Sequence, residues 1–178
     1  QSNSRFINFT IGLGFSDSET KEVKNSYRNG FSLEALALRG TRFDDHKFFY
    51  GLGLTTNSFT ASMGTRKINL TYLNLVSGIG FRIITRKLYV GPRINYGRRL
   101  ALNVNPETSP GPFTAENMRE NQLFLEGTID WSLTDHIDLY FLYSHGINAF
   151  YVTNDFSQTS LETTRWRSIR LGLKYSIE

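Results

Sequence analysis

The stretch LYVGPRINYG, from Leu88 to Gly97, alternates between two kinds of residue. One set is apolar or aromatic: Leu88, Val90, Pro92, Ile94 and Tyr96. The interleaved set contains Tyr89, Gly91, Arg93, Asn95 and Gly97. Because successive side chains of a strand point to opposite faces, this pattern predicts a β-strand with one apolar face and one polar face.

Seven other segments show the same period of two, and no segment shows a helical period. The predicted strands cover residues 5–16, 29–40, 47–57, 69–84, 87–99, 121–134, 136–150 and 165–177. The second strand is the least regular, since Leu36 and Leu38 lie on the face opposite to Leu33, Ala35 and Ala37. No run of residues approaches the eighteen apolar residues of a transmembrane helix. The sequence therefore predicts one all-β domain over residues 1–178.

The segments between the predicted strands alternate between long and short. The long ones are about Ser16–Arg28, Ser58–Ile68, Leu100–Glu120 and Tyr151–Thr164, and the short ones are about Thr41–His46, Thr85–Arg86 and Thr134–Asp135. Membrane barrels have short periplasmic turns and longer extracellular loops. We therefore expect an eight-stranded antiparallel up-and-down transmembrane β-barrel. An even number of strands places both termini on the periplasmic side.

The polar face of the predicted strands is rich in glycine and carries long charged side chains of both signs. These side chains are Glu34, Arg82, Arg93, Glu126, Asp130, Asp138, Arg170 and Lys174. A soluble lipocalin-like barrel would turn this face to water, whereas a membrane barrel turns it to the lumen. Buried charges must be paired, so we expect an ion-pair network that fills a narrow lumen.

The apolar face carries almost no charge within the strands, which suits a wall in contact with lipid. Its aromatic residues lie towards the strand ends. Phe15, Phe31, Tyr96 and Tyr143 fall at the long-loop end, and Phe48, Phe81, Trp131 and Tyr175 fall near the short turns. Two such groups predict interfacial girdles, where aromatic rings lie at the level of lipid headgroups.

Catalytic, cofactor and metal sites are not expected from the residues. The chain has no cysteine and three scattered histidines. Ser144 and His145 are adjacent, so a strand would point them to opposite faces. Glu126 and Asp130 lie four residues apart, roughly 13 Å along a strand, too far to act on one bond. A net charge of +4 without a Lys/Arg run argues against binding of nucleic acid.

The whole pattern resembles the small outer-membrane barrels, such as the OmpA transmembrane domain and OmpX. The phrases Tyr89-Val90-Gly91-Pro92-Arg93 and Leu171-Gly172-Leu173-Lys174-Tyr175 are similar to those of the PorT-like group. Many members of these families end on an aromatic residue, whereas this chain ends Tyr175-Ser176-Ile177-Glu178. The resemblance implies the outer membrane of a Gram-negative bacterium and contact with lipopolysaccharide and phospholipid.

Three functions remain open at this point. The leading hypothesis is a non-enzymatic structural or interaction protein, either alone or as a subunit of a complex with other outer-membrane or periplasmic proteins. The second is a lipid-modifying enzyme, such as a lipid A deacylase or acyltransferase. The third is a narrow pore or transporter.

Overall fold

The computed structural model describes residues 4–19, 27–28, 30–61, 67–83, 87–105, 115, 118–148 and 165–177. The strands are β1 (Ser4–Glu19), β2 (Tyr27–Arg28), β3 (Gly30–Arg42), β4 (His46–Ala61), β5 (Lys67–Arg82), β6 (Leu88–Asn105), β7 (Asn121–Ser132), β8 (Ile137–Gly146) and β9 (Arg165–Ile177). Within these ranges there is no helix long and apolar enough to cross a membrane.

Eight of the strands close into an antiparallel barrel. The order around it is β1, β3, β4, β5, β6, β7, β8 and β9, and β9 pairs with β1. The two-residue strand β2 pairs only with the far end of β4. Each of the eight predicted strands overlaps one strand of this wall, so the predicted fold is confirmed. Closure leaves no open sheet edge, as a wall surrounded by lipid requires.

The short connections and the described chain ends lie at one end of the barrel. Arg42 pairs with Lys47 beside the first short turn. Ile7, near the start of β1, pairs with Ile177 at the end of β9. The longer connections, between β1 and β3, β6 and β7, and β8 and β9, all leave from the other end. The β4–β5 connection also leaves there, but it covers 62–66 alone and is as short as the β5–β6 turn, because β4 and β5 extend into the long loop predicted at about Ser58–Ile68. We call the two ends the turn end and the loop end.

Burial alternates along most of each of the eight wall strands, with mainly apolar side chains outside. On β1, Leu13 is 65% exposed and Phe15 is 72% exposed, whereas Asn8, Thr10 and Ser16 are buried. A water-soluble barrel has the reverse arrangement, because its apolar side chains form the core. The period of two in the sequence thus corresponds to a lipid-facing wall and a polar interior.

A β-bulge in β6 reverses this alternation near the loop end. Thr71 pairs with Ala101 while Tyr72 pairs with Arg99, so Leu100 is an extra residue. Beyond it, Leu102 and Val104 turn to the interior. The predicted strand stops at residue 99 because the strict alternation stops there, yet the strand continues to Asn105. Residues 100–105 of the predicted long loop are therefore part of the wall.

The irregular pattern of β3 results from an apolar cluster inside the barrel. Leu33 is exposed on the wall, while Leu36 and Leu38 are buried. The two buried leucines pack in the lumen with Phe6 of β1, Phe49 of β4 and Val76 of β5. The lumen side of β3 therefore combines the polar Ser32 and Glu34 with the apolar Leu36 and Leu38.

Candidate functional site

The lumen contains two layers of buried charge. The upper charge layer consists of Glu34, Arg93, Glu126 and Arg170, from β3, β6, β7 and β9. Arg93 Nη2 lies 2.7 Å from Glu34 Oε2, and Arg93 Nε also donates to Glu126. Arg170 donates to Glu34 and lies 3.3 Å from Glu126 Oε1. Each arginine thus contacts both glutamates, and the four side chains are at most 2% exposed.

Neutral side chains add hydrogen bonds to this layer. Asn95 Nδ2 donates to Glu126 Oε1 at 3.3 Å, and the Tyr140 hydroxyl donates to Glu34 Oε1 at 3.3 Å. Ser168 Oγ accepts from Arg170 at 3.2 Å. Buried ion pairs offset their desolvation only when further hydrogen bonds satisfy the remaining lone pairs and protons. The upper charge layer meets that condition for both carboxylates.

The lower charge layer lies nearer the turn end and consists of Lys47, Asp130 and Lys174. Asp130 accepts from Lys47 at 2.7 Å and from Lys174 at 2.5 Å. The Lys47 ammonium also lies 4.6 Å from the centre of the Tyr89 ring. Such cation–π contacts stabilise a desolvated ammonium by up to about 2 kcal/mol. The Asp130 carboxylate therefore pairs with both lysine ammonium groups, and the Tyr89 ring further stabilises Lys47.

Tyr140 joins the two charge layers. Its hydroxyl contacts Glu34 of the upper layer, and its ring lies 5.0 Å from Lys174 Nζ of the lower layer. The ring fits because Gly12 and Gly172 lie opposite it on β1 and β9. A Cβ atom at Gly12 would come within 2.0 Å of the Tyr140 oxygen. Glycine at these positions provides space for a long lumen side chain.

The charged residues expected in the lumen divide into those in the two layers and those outside them. Glu34, Arg93, Glu126, Asp130, Arg170 and Lys174 form the layers. Asp138 is buried and opposite Lys174 in the ladder. Arg82 was wrongly placed in this interior network. It lies at the turn end, 2.7 Å from the exposed Asp45, because the strand ends there and its side chain reaches water.

Lys47 is the lumen cation that the sequence pattern did not single out. It precedes Phe48 on β4, and its odd position already points it to the same face as Gly51 and Gly53. Among the described residues, four buried acids and four buried bases then lie in the lumen: Glu34, Glu126, Asp130 and Asp138 with Lys47, Arg93, Arg170 and Lys174. Their charges balance, as a desolvated interior requires.

Above the charge layers, an apolar cluster closes the lumen at the loop end. We call it the loop-end plug; it consists of Phe59, Ile68, Leu70, Tyr72, Met118, Phe124 and Trp166, with Leu102 and Val104 packed against it. The rings of Phe59 and Trp166 meet edge to face, with centroids 4.8 Å apart. Met118 comes from the β6–β7 connection and the other six side chains come from β4, β5, β7 and β9, so the plug spans the lumen.

Arg99 attaches part of the β6–β7 connection to the plug. It donates to the carbonyl oxygens of Met118 and Ala115, each at 2.7 Å. Met118 itself is 3% exposed and packs among the plug residues. Met118 is therefore held at the loop end of the lumen. No signal in the sequence pointed to this contact.

The eight girdle residues all point outwards, at two levels of the wall. At the loop end Phe15 pairs with Phe31 across β1 and β3, and Tyr96 and Tyr143 lie on β6 and β8. At the turn end, Phe48, Phe81, Trp131 and Tyr175 are between 45% and 53% exposed. Aliphatic side chains cover the wall between the two levels, among them Leu52, Leu75 and Leu171.

Among the described residues, potential metal ligands are dispersed, and Ser144 and His145 lie on opposite faces of β8. The described part of the chain contains no cluster of three or more His, Cys, Asp or Glu side chains that could hold a metal ion. Ser144 is buried on the lumen side, while His145 follows it on the wall side. His46, at the first short turn, stacks on Phe43 with ring centroids 4.7 Å apart. The Ser144–His145 pair thus cannot act together on one bond.

Comparison with known proteins gives fold neighbours but no family. No known family profile and no curated protein matches the chain. Among solved structures, Neisserial surface protein A is similar with a TM-score of 0.56 and 12% identity, over 98% of this chain and 99% of that chain. Ail, the attachment invasion locus protein of Yersinia pestis, is similar with a TM-score of 0.54 and 14% identity. This likeness covers 97% of this chain and 98% of that chain.

At these identities the likeness is one of fold. The closed eight-stranded wall, its outward apolar residues and these neighbours define the class: the protein has the fold of a small eight-stranded outer-membrane β-barrel.

Proposed function

We propose that the protein is an integral outer-membrane barrel without enzymatic activity, which serves as a structural or interaction protein. In this proposal the turn end and both termini face the periplasm, and the loop end faces outside. The apolar wall supports the membrane location, since a contiguous exposed apolar surface of this extent is unusual for a soluble monomer. Lipopolysaccharide and phospholipid would be its immediate surroundings.

The filled lumen is the observation that carries the functional part of the proposal. Eight-stranded barrels have interiors just wide enough for side chains to fill. Here two charge layers, one apolar cluster and the loop-end plug occupy the space between the two ends. Ions crossing it would have to pass apolar side chains that solvate them poorly. This arrangement argues against a pore. The loops and the outer wall are then the surfaces through which the protein would bind other molecules.

We infer that those surfaces bind other outer-membrane or periplasmic proteins, so that the barrel works as one subunit of a larger assembly. The barrel itself supplies a rigid, membrane-fixed support for the three longer connections, between β1 and β3, β6 and β7, and β8 and β9. Loops held by a rigid scaffold are the common location of binding residues. Mild solubilisation of the native membrane followed by affinity capture would identify the partner, with an unrelated eight-stranded barrel of similar abundance as the control.

Purified protein in liposomes tests the proposal directly. We expect no discrete single-channel currents, and no release or transfer of acyl chains when lipid A and phospholipid are present in the bilayer. Steady conductance steps in the folded protein would replace the proposal with a pore. Hydrolysis or acyl transfer that disappears after heat denaturation would replace it with a lipid-modifying enzyme.

A further inference from the structure

Two open clefts lie along β9 on the outer side of the wall, next to β1 and β8. The upper cleft has a volume of about 440 Å³ and is lined by Phe15, Asp17, Tyr143, Arg167, Ser168 and Ile169. A second cleft of about 300 Å³ lies further towards the turn end, against Phe9, Ile11, Ile137, Leu173 and Tyr175. Both clefts lie on the same three strands, and Leu171 continues the face between them. We call the two clefts and this face the β9 groove.

The floor and sides of the β9 groove are apolar. Ile169 lies on the floor, and the ladder places Phe15 of β1 and Tyr143 of β8 on its two sides. Leu171 and Leu173 continue the floor towards Tyr175. From Ile169 to Leu173 the floor covers four residue steps, roughly 13 Å of extended strand, and it ends before Tyr175 of the turn-end girdle. That length and lining fit one fatty acyl chain that stays within the outer leaflet.

The loop end of the groove is polar and rich in hydrogen-bond donors. Arg165 and Arg167 occupy alternate positions on β9, so both point to the wall side. His145 of β8 is opposite Arg167 in the ladder. Arg167 lies 2.7 Å from Asp17 of β1. The cluster therefore offers guanidinium groups for phosphate oxygens, and the Asp17 carboxylate for a divalent counter-ion of those phosphates.

We propose that the β9 groove binds one phosphorylated glycolipid of the outer leaflet, with an acyl chain along β9 and a phosphate at Arg165 and Arg167. The orientation of the groove supports this ligand, because its polar end is the loop end and its apolar part runs towards the middle of the wall. The proposal rests on the outward orientation of the loop end given above. It concerns the wall alone, so a pore or an enzyme could carry the same site.

Native mass spectrometry of the detergent-solubilised barrel tests the site. The probe is purified diphosphorylated lipid A, compared with phosphatidylglycerol and with diacylglycerol at equal concentration. We expect one lipid A molecule per barrel, with weaker binding of phosphatidylglycerol and the weakest of diacylglycerol, which has no phosphate. Equal binding of the three lipids, or preference for either of the other two, would overturn the proposal.

Two pairs of variants locate the site. Arg167→Gln should weaken lipid A binding about tenfold, the effect of losing a charge-assisted hydrogen bond. Arg98→Gln is the matched control, because Arg98 also forms an exposed ion pair near the loop end, with Glu120, but on β6. Ile169→Trp should fill the groove and weaken binding by a similar factor. Leu75→Trp, an equally lipid-facing change on the far side of the barrel, should not.

Each variant is first checked for cooperative thermal unfolding in detergent, so that loss of binding is read only in folded protein. Should Arg167→Gln fail to fold, Ile169→Trp still tests the groove, since it changes an exposed wall residue. Binding unaffected by both changes, or lowered as much by Arg98→Gln and Leu75→Trp, would show that lipid A contacts the wall without a defined site. Either result leaves the proposed non-enzymatic role intact, because that role is tested by conductance and lipid hydrolysis.

Discussion

Arg93 shows how single residues hold the lumen together. Its guanidinium lies between Glu34 of β3 and Glu126 of β7, which are on opposite sides of the barrel. Arg170 contacts the same two glutamates from β9. A planar guanidinium with five donors can bridge two carboxylates in this way, whereas a lysine ammonium cannot present the same fork. The upper charge layer therefore depends on the residue type as well as on the charge.

Replacing Arg93 with leucine should destabilise the barrel strongly. Glu34 and Glu126 would lose a buried partner, and breaking a buried pair costs about 3–5 kcal/mol. The measurement is the free energy of unfolding in urea, with the protein in detergent micelles. Arg98→Leu is the control and should change it by about 1 kcal/mol or less, since its pair with Glu120 is more than half exposed. An unchanged midpoint for Arg93→Leu would mean that water solvates the layer.

Gly12 and Tyr140 should be coupled. Gly12→Ala places a Cβ atom where the Tyr140 hydroxyl lies, so we expect a loss of about 1–3 kcal/mol from overpacking. Tyr140→Phe removes that hydroxyl and should reduce the cost of Gly12→Ala. A double-mutant cycle of unfolding free energies measures this coupling. Additive effects of the two changes would contradict the proposed close approach.

At the scale of the strand, the bulge in β6 determines which residues close the loop end. Leu100 is the extra residue, and it allows Leu102 and Val104 to pack against the plug while Arg99 reaches the carbonyls of Met118 and Ala115. A strand without the bulge would point Ala101 and Asn103 into the lumen instead. Bulges of this kind re-aim side chains at the rims of barrels.

Deletion of Leu100 should therefore remove the bulge and keep the two faces of the end of β6. Arg99 would then be followed directly by Ala101, and Leu102 would still point inwards, as the pairing of Thr71 with Ala101 and of Tyr72 with Arg99 requires. The chain has no cysteine, so single cysteines at Leu102 and at Ala101 report accessibility without background. A water-soluble maleimide should label Ala101→Cys faster than Leu102→Cys both before and after the deletion. A reversed order of the two rates after the deletion would show that Leu100 is not the extra residue.

The whole molecule combines a polar, filled interior with an apolar exterior. The wall exposes large hydrophobic side chains on every strand of the barrel, from Ile7 on β1 to Ile177 on β9. In a membrane these side chains contact acyl chains, and the closed ladder satisfies the backbone. In water the same surface would drive association between copies.

We expect the folded barrel to remain monodisperse only while an amphiphile covers its wall. Removal of detergent should produce large aggregates, measured by light scattering, while transfer into an amphipathic polymer at the same protein concentration should keep the monomer. The polymer sample controls for dilution and unfolding. A monodisperse monomer in plain buffer would contradict the membrane location.

The eight strands and their faces could be predicted because alternation is a local property. A strand with Ile7, Phe9, Ile11 and Leu13 on one side has one apolar face whatever surrounds it. The long and short connections then indicated a membrane barrel, and the charged residues on the other face indicated the lumen. Arg82 shows the limit of this reasoning. The alternation predicted the correct face of the strand for Arg82. Arg82 lies so close to the end of the strand, however, that its side chain is at the water-exposed rim of the barrel.

What the sequence alone determined is therefore which residues face lipid and which face the lumen. The tertiary structure decided which lumen residues meet. Closure brings Glu34, Glu126 and Arg170 together from positions far apart in the chain, and it gives Lys47 and Lys174 one shared aspartate. The loop-end plug and the β9 groove also depend on the register between neighbouring strands. Alternation within a strand carries no information on that register, because cross-barrel contacts are set by how all eight strands pair.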